Sequence, residues 1–128
     1  IDIMDLLCFI PRVRPEELLN GNEKYTSEKM KERILSAIER ASYRLKDTDY
    51  RYNSEIVGKD IYRLCSITSK ARRILEKCYI SYGISLRAYG KIIKVARTMA
   101  DLQEEEKITE DNIIESLGYR KNIFGEIV

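Results

Sequence analysis

Arg87, Lys91 and Lys94 recur at spacings of four and three within the stretch from Gly83 to Leu102, which places all three on one face if that stretch is a helix. Ser85 is positioned to be the N-cap of that helix, making Arg87 its second residue. A cation there faces the positive end of the helix macrodipole, at a cost of roughly 0.3–1 kcal/mol. A bound anion reverses the penalty, and a helix start already favours phosphate. Phosphate binding by Arg87, extended by Lys91 and Lys94, is therefore the candidate chemistry; a solvated basic face is the competing reading of the same three residues. The opposite face carries Tyr89, Ile92, Ile93, Ala96, Met99 and Ala100 and is expected to build core. Arg97 lies between the two faces with Asp101 four residues on, the spacing of a structural ion pair.

Other chemistries are excluded by what the sequence lacks. It contains no histidine, so the commonest metal ligand and the usual general base are missing. Cys8, Cys65 and Cys78 are odd in number and far apart, which suits neither a disulfide framework nor a paired-cysteine zinc site. They read as buried packing in a reducing, cytoplasmic compartment, and no metal site is expected. Gly58-Lys59-Asp60 and Gly90-Lys91-Ile92 fail the spacing and the hydroxyl position of a phosphate loop. The chain alone is accordingly expected neither to hydrolyse ATP nor to hold a cofactor tightly.

The 128 residues, 44% hydrophobic and 34% charged with a net charge of +2, suit one helix-rich folded domain rather than a disordered or polybasic chain. No apolar run reaches the roughly 20 residues that span a bilayer, so no membrane partner is expected. The chain opens on Ile1 in a segment with the character of a structural element, as an excised fragment would.

The elements that must position the basic residues follow from periodicity and caps. Leu6 to Ile10 is a short apolar run ended by Pro11, which predicts a strand or extended segment, and Asn20-Gly21-Asn22 predicts a turn. From Ser27 the residues Met30, Ile34, Ala37, Ile38, Ala41 and Leu45 share one helical face. Tyr50 and Tyr52 lie in an aperiodic connection, where they are expected to pack back onto helices, and a short helix is expected from about Lys59 to Cys65. Thr68 caps a helix whose stripe is Ala71, Ile74, Leu75, Cys78 and Tyr82, and Gly83 ends it. Tyr82 to Ser85 is then a sharp helix-turn-helix corner. Thr109 caps a last helix, with Ile108 and Ile113 at the positions of a hydrophobic staple. The expectation is an all-α bundle of four to five helices over residues 26–121, preceded by a strand and connector over 1–25 and followed by a tail over 122–128.

The run Leu86-Arg87-Ala88-Tyr89-Gly90-Lys91-Ile92-Ile93-Lys94-Val95-Ala96-Arg97-Thr98-Met99-Ala100-Asp101-Leu102 resembles the central signature of magnesium chelatase-like AAA+ ATPases of the bacterial competence type. Ile108-Thr109, Ile113 and Leu117-Gly118-Tyr119-Arg120 are similar to that family's closing helix. Met4-Asp5-Leu6, Ile10-Pro11-Arg12-Val13, Asn53 to Ile56 and Tyr62 to Cys65 extend the resemblance over nearly the whole chain. It implies the C-terminal helical lid of such an ATPase, carrying the last strand of the nucleotide-binding core.

By position in the motif, Arg87 corresponds to the family's sensor-2 arginine, which approaches the γ-phosphate of ATP and is the one catalytic residue implied; Lys91 and Lys94 would join it in nucleotide binding. The resemblance further implies ATP and Mg2+ in the full-length protein, and as partners the AAA+ core of the same and neighbouring subunits in a ring, expected to be a hexamer. The parent would be a DNA-acting motor in competence or recombination. The family carries Asp-Arg-(Ile/Phe)-Asp before the strand where this chain reads Asp2-Ile3-Met4-Asp5, so the arginine that serves a neighbouring subunit's nucleotide is replaced by Ile3. Two alternatives stand beside this reading: a helical nucleic-acid-binding module built on the Tyr82–Ser85 corner, and a protein-interaction module.

Overall fold

In the computed structural model, residues 4–8, 26–121 and 127 are described. Among the described residues five α-helices follow one another: α1 (Ser27–Leu45), α2 (Asp60–Leu64), α3 (Ser69–Tyr82), α4 (Leu86–Leu102) and α5 (Glu110–Gly118), with a 3-10 turn at Asn53–Glu55. Among the described residues there is no strand, only isolated bridges, one of them parallel between Ile67 and Ile108. The all-α bundle is thus the observed architecture. Leu6–Cys8, the described part of the expected strand, belongs to no regular element. The turn at Asn20-Gly21-Asn22 and the replacement at Ile3 lie outside the described residues.

Thr68, Ser85 and Thr109 are the caps the sequence expects, and Thr26 is a further one before α1. Each accepts a hydrogen bond from a backbone N–H in the first turn of the helix it precedes, satisfying donors that have no partner within the helix. Gly83 ends α3 in the left-handed region at φ 59°, a conformation that costs other residues roughly 1–2 kcal/mol. The reversal from α3 into α4 therefore takes only Gly83, Ile84 and Ser85, and Ile84 is buried beneath it.

Helix α4 is the axis of the bundle and packs against α1, α2, α5 and the 3-10 turn, while α3 packs on α5. Ala88, Ile92, Ile93, Ala96 and Ala100 of α4 join Leu45, Ile56, Cys65, Ala71, Leu75, Ile108, Ile113 and Leu117 in the buried interior. Small residues along α4 permit close approach: a Cβ on Gly90 would come within 3.1 Å of Ile61 Cδ1.

The α1 stripe is only partly used. Ala37 and Leu45 are buried, whereas Met30, Ile34 and Ile38 remain about half exposed, because α4 covers only one side of α1. On α3, Ala71 and Leu75 are buried but Tyr82 stays exposed beyond the core. Tyr50 packs against the core and donates to Asp60 Oδ2 at 2.7 Å, whereas Tyr52 is exposed. The cysteines also divide: Cys65 is buried and Cys78 partly buried, but Cys8 is exposed, contrary to its expected packing role.

A polar cluster locks the far end of α4. Asp101, 1% exposed, accepts from Arg44 Nη1 and Nη2 at 2.7 and 2.6 Å and from Asn53 Nδ2 at 3.0 Å. It also pairs with Arg97 at 3.0 Å, the ion pair that the spacing suggests. Arg97 donates onward to the carbonyls of Glu106 and Glu105 at 2.8 and 2.6 Å. One carboxylate thus ties α1, the 3-10 turn, α4 and the loop after it, so the charges are paired where burial of a lone one would be prohibitive.

Candidate functional site

The first turn of α4 contains no acidic residue, unlike that of α5, where Glu110 and Asp111 meet the positive end of the helix. Ser85 Oγ accepts from the Ala88 N–H at 3.0 Å and fixes where α4 starts. Arg87 projects from that start and is exposed. Ala88 beside it is buried, which holds the backbone of this turn against the core.

Arg87, Lys91 and Lys94 come together along one open groove of about 670 Å³. Its opposite wall is Ile56, Val57, Gly58 and Lys59 with the start of α2, so a fourth cation, Lys59, faces the same space. Lys59 is one that spacing along α4 could not reveal, because it comes from a different element. Gly58 turns that wall at φ 59°.

Lys91 and Lys94 are not the loose, solvated side chains of a simple basic face. The Lys91 side chain is only 16% exposed, and its Nζ donates to Asp5 Oδ1 at 2.6 Å. Lys94 Nζ donates to the Ser54 carbonyl at 3.2 Å, and burial, followed by the neighbouring Lys91, pulls its ammonium below the usual lysine range. Both stems are covered while both heads are held. The result is a groove whose cations are positioned before any ligand arrives, which lowers the ordering cost of binding an anion.

Segment 4–8 borders this region. Leu7 N–H donates to the Tyr119 carbonyl at 2.7 Å, and Arg120, fully buried, donates to the Met4 carbonyl. Asp5 is thereby presented to Lys91 from outside the bundle.

The donor set suits an oxyanion. Arginine offers a planar fork and lysine a compact charge, the two side chains most used against phosphate oxygens. Among the described residues no three carboxylate or thiol groups gather at ligand spacing. Burial raises the Cys65 thiol to about 11, leaving it protonated and inert at neutral pH. Among the described residues no helix is long and apolar enough to cross a membrane.

Comparison with known proteins agrees with the resemblance carried by the motifs. The family model for the magnesium chelatase subunit ChlI C-terminal domain matches residues 24–120. The competence protein ComM of Haemophilus influenzae is 36% identical over 125 residues, and the YifB proteins of Escherichia coli and Salmonella typhimurium are 32% and 31% identical over 124 and 121 residues. Each match covers 94% of this chain but 23% of the relative's length. With three-quarters of the chain inside the family match and the central motif on the groove-forming helix, this protein belongs to the magnesium chelatase ChlI C-terminal family.

Proposed function

We propose that residues 26–121 are the helical lid of an AAA+ ATPase and that Arg87 is its sensor-2 arginine, reaching the terminal phosphate of ATP from the start of α4. The observation that carries this reading is the gathering of Arg87, Lys91, Lys94 and Lys59 along one groove. Lys91 and Lys94 hold the bound nucleotide's phosphates, and the forked, permanently charged Arg87 stabilises charge that develops on the transferred group.

ATP and Mg2+ belong to the full-length protein, and the phosphate loop and metal-holding carboxylates come from a core domain to which residues 1–25 form the connection. Rotation of the lid couples nucleotide state to contacts between subunits of a ring, a hexamer by family analogy. The name of the Haemophilus influenzae relative, a competence protein, favours a cytoplasmic motor that works on DNA.

A DNA-reading helix-turn-helix fits the corner less well. At the start of α4, Leu86 is 72% exposed and Ala88 is buried, so Arg87 stands without the row of polar side chains that reads base edges.

The reading is tested by titrating the chain with inorganic tripolyphosphate and following backbone amide shifts. Shifts centred on residues 58–59 and 86–94 that weaken with salt support it; shifts confined to the α1 side, or none, contradict it.

A further inference from the structure

The basic groove does not stop at its cations. Tyr62 and Leu86 form part of its wall, and the same two residues also line a second groove of about 410 Å³ whose other walls are Tyr79, Tyr89, Ile80 and Glu76. Leu86 and Ile80 are 72% and 81% exposed and Tyr62 is 56% exposed, so large apolar and aromatic surface lies open beside four cationic side chains, one of which, Lys91, is paired with Asp5. Such surface is costly to leave in water unless something covers it.

The tyrosines are braced for contact. Tyr89 sits between the other two, edge-on to Tyr79 with ring centroids 5.5 Å apart and tilted against Tyr62 at 6.3 Å. Tyr89 is itself half-buried against the core, so Tyr62 leans on a fixed ring rather than swinging freely. Glu76 lines the second groove and not the basic one, so the phosphate-attracting cations belong to the basic groove. A ligand with a polyanionic tail and a flat aromatic head matches this juxtaposition of cations and rings, whereas inorganic phosphate alone leaves the aromatic side uncovered.

From this juxtaposition we infer that Tyr62 is a stacking platform for the base of the nucleotide whose phosphates occupy the basic groove, with Leu86 completing the contact. The inference rests on the assignment of that groove to phosphate. It adds that the domain binds the nucleoside part as well and so distinguishes ATP from bare polyphosphate. The platform is tolerant of base identity, because every base offers a π face.

The test compares ATP with tripolyphosphate on the wild-type chain and on Tyr62→Ala, Tyr62→Phe and Arg87→Ala, with folding of each variant checked by circular dichroism. The expected result is that ATP binds about tenfold more tightly than tripolyphosphate, in line with the worth of one base–aromatic stack. Tyr62→Ala removes that advantage without changing tripolyphosphate affinity, Tyr62→Phe keeps it, and Arg87→Ala weakens both ligands. Equal affinities for ATP and tripolyphosphate in the wild type, or an ATP advantage unaffected by Tyr62→Ala, overturn the stacking assignment while leaving the phosphate groove standing. Loss of the Arg87 effect with a Tyr62-dependent ATP advantage has the reverse meaning: the phosphate reading falls and the platform stands. A single-stranded oligonucleotide that binds through Tyr62 far more tightly than ATP overturns the mononucleotide assignment in favour of a nucleic-acid strand.

Discussion

Arg44 and Asp101, 57 residues apart in sequence, meet through two parallel hydrogen bonds of 2.7 and 2.6 Å. This pair fastens α1 to the C-terminal half of α4, while Arg97 extends the same cluster to the loop that follows. The groove lies at the other end of α4, so the cluster sets the helix from which Arg87, Lys91 and Lys94 project.

Replacing Asp101 with Ala leaves the buried Arg97 without its carboxylate and costs about 3–5 kcal/mol of stability, the range for breaking a buried pair from one side. Arg44→Ala costs less, because its side chain is 21% exposed and water replaces part of what is lost. Urea unfolding of the two variants gives that order.

The same carboxylate sets an acid dependence. Burial works to raise the Asp101 pKa, but hydrogen bonds from Arg44 and Asn53 and the charges of Arg97 and Arg44 outweigh it, leaving the group below its ordinary value of 3.8. A depressed folded-state value means stability that is fully present above the unfolded pKa and lost as pH falls through the folded one. Stability is therefore expected to decline as pH drops below about 4, with a shallower decline in Asp101→Asn. Unfolding free energies measured between pH 6 and pH 2 for both proteins check this.

The three thiols should react in order of exposure. Cys8 is exposed, Cys78 is partly buried with its thiol raised by desolvation, and Cys65 is buried with its thiol at about 11. Timed alkylation at pH 8 with mass-spectrometric readout is expected to modify Cys8 first and Cys65 last, the latter only at the rate of unfolding.

Removing the Ser85 cap tests the link between local structure and site. Ser85→Ala is expected to cost about 0.5–2 kcal/mol and to fray the turn that carries Arg87, weakening tripolyphosphate binding beyond what the stability loss explains. Thr109→Ala removes the equivalent cap of α5, with a similar stability loss and no change in binding.

What the sequence revealed was chiefly short-range. Thr68, Gly83, Ser85 and Thr109 act within four residues of themselves, and each occupies its expected cap. Long-range partners were not legible. Periodicity identified the α1 stripe but could not say that α4 covers only one side of it, which leaves Met30, Ile34 and Ile38 half exposed. Arg44 and Asn53 carried no signal for Asp101, since neither lies within a helical turn of it. Likewise the helical repeat put Arg87, Lys91 and Lys94 on one face, but Lys59, Asp5 and the Ser54 carbonyl reach that face through the fold alone. The role proposed for Arg87 rests on the family motif, because a lone arginine at a helix start is equally compatible with a solvated surface.

The most direct measurement is ATP turnover by a full-length protein carrying this domain, compared between wild type and Arg87→Ala with nucleotide affinity determined separately. The expected result is a fall in kcat of at least about tenfold, equivalent to about 1.4 kcal/mol of lost transition-state stabilisation, with a smaller change in ATP affinity. Unchanged turnover in a folded Arg87→Ala protein would contradict the assignment of Arg87 as the nucleotide-sensing arginine.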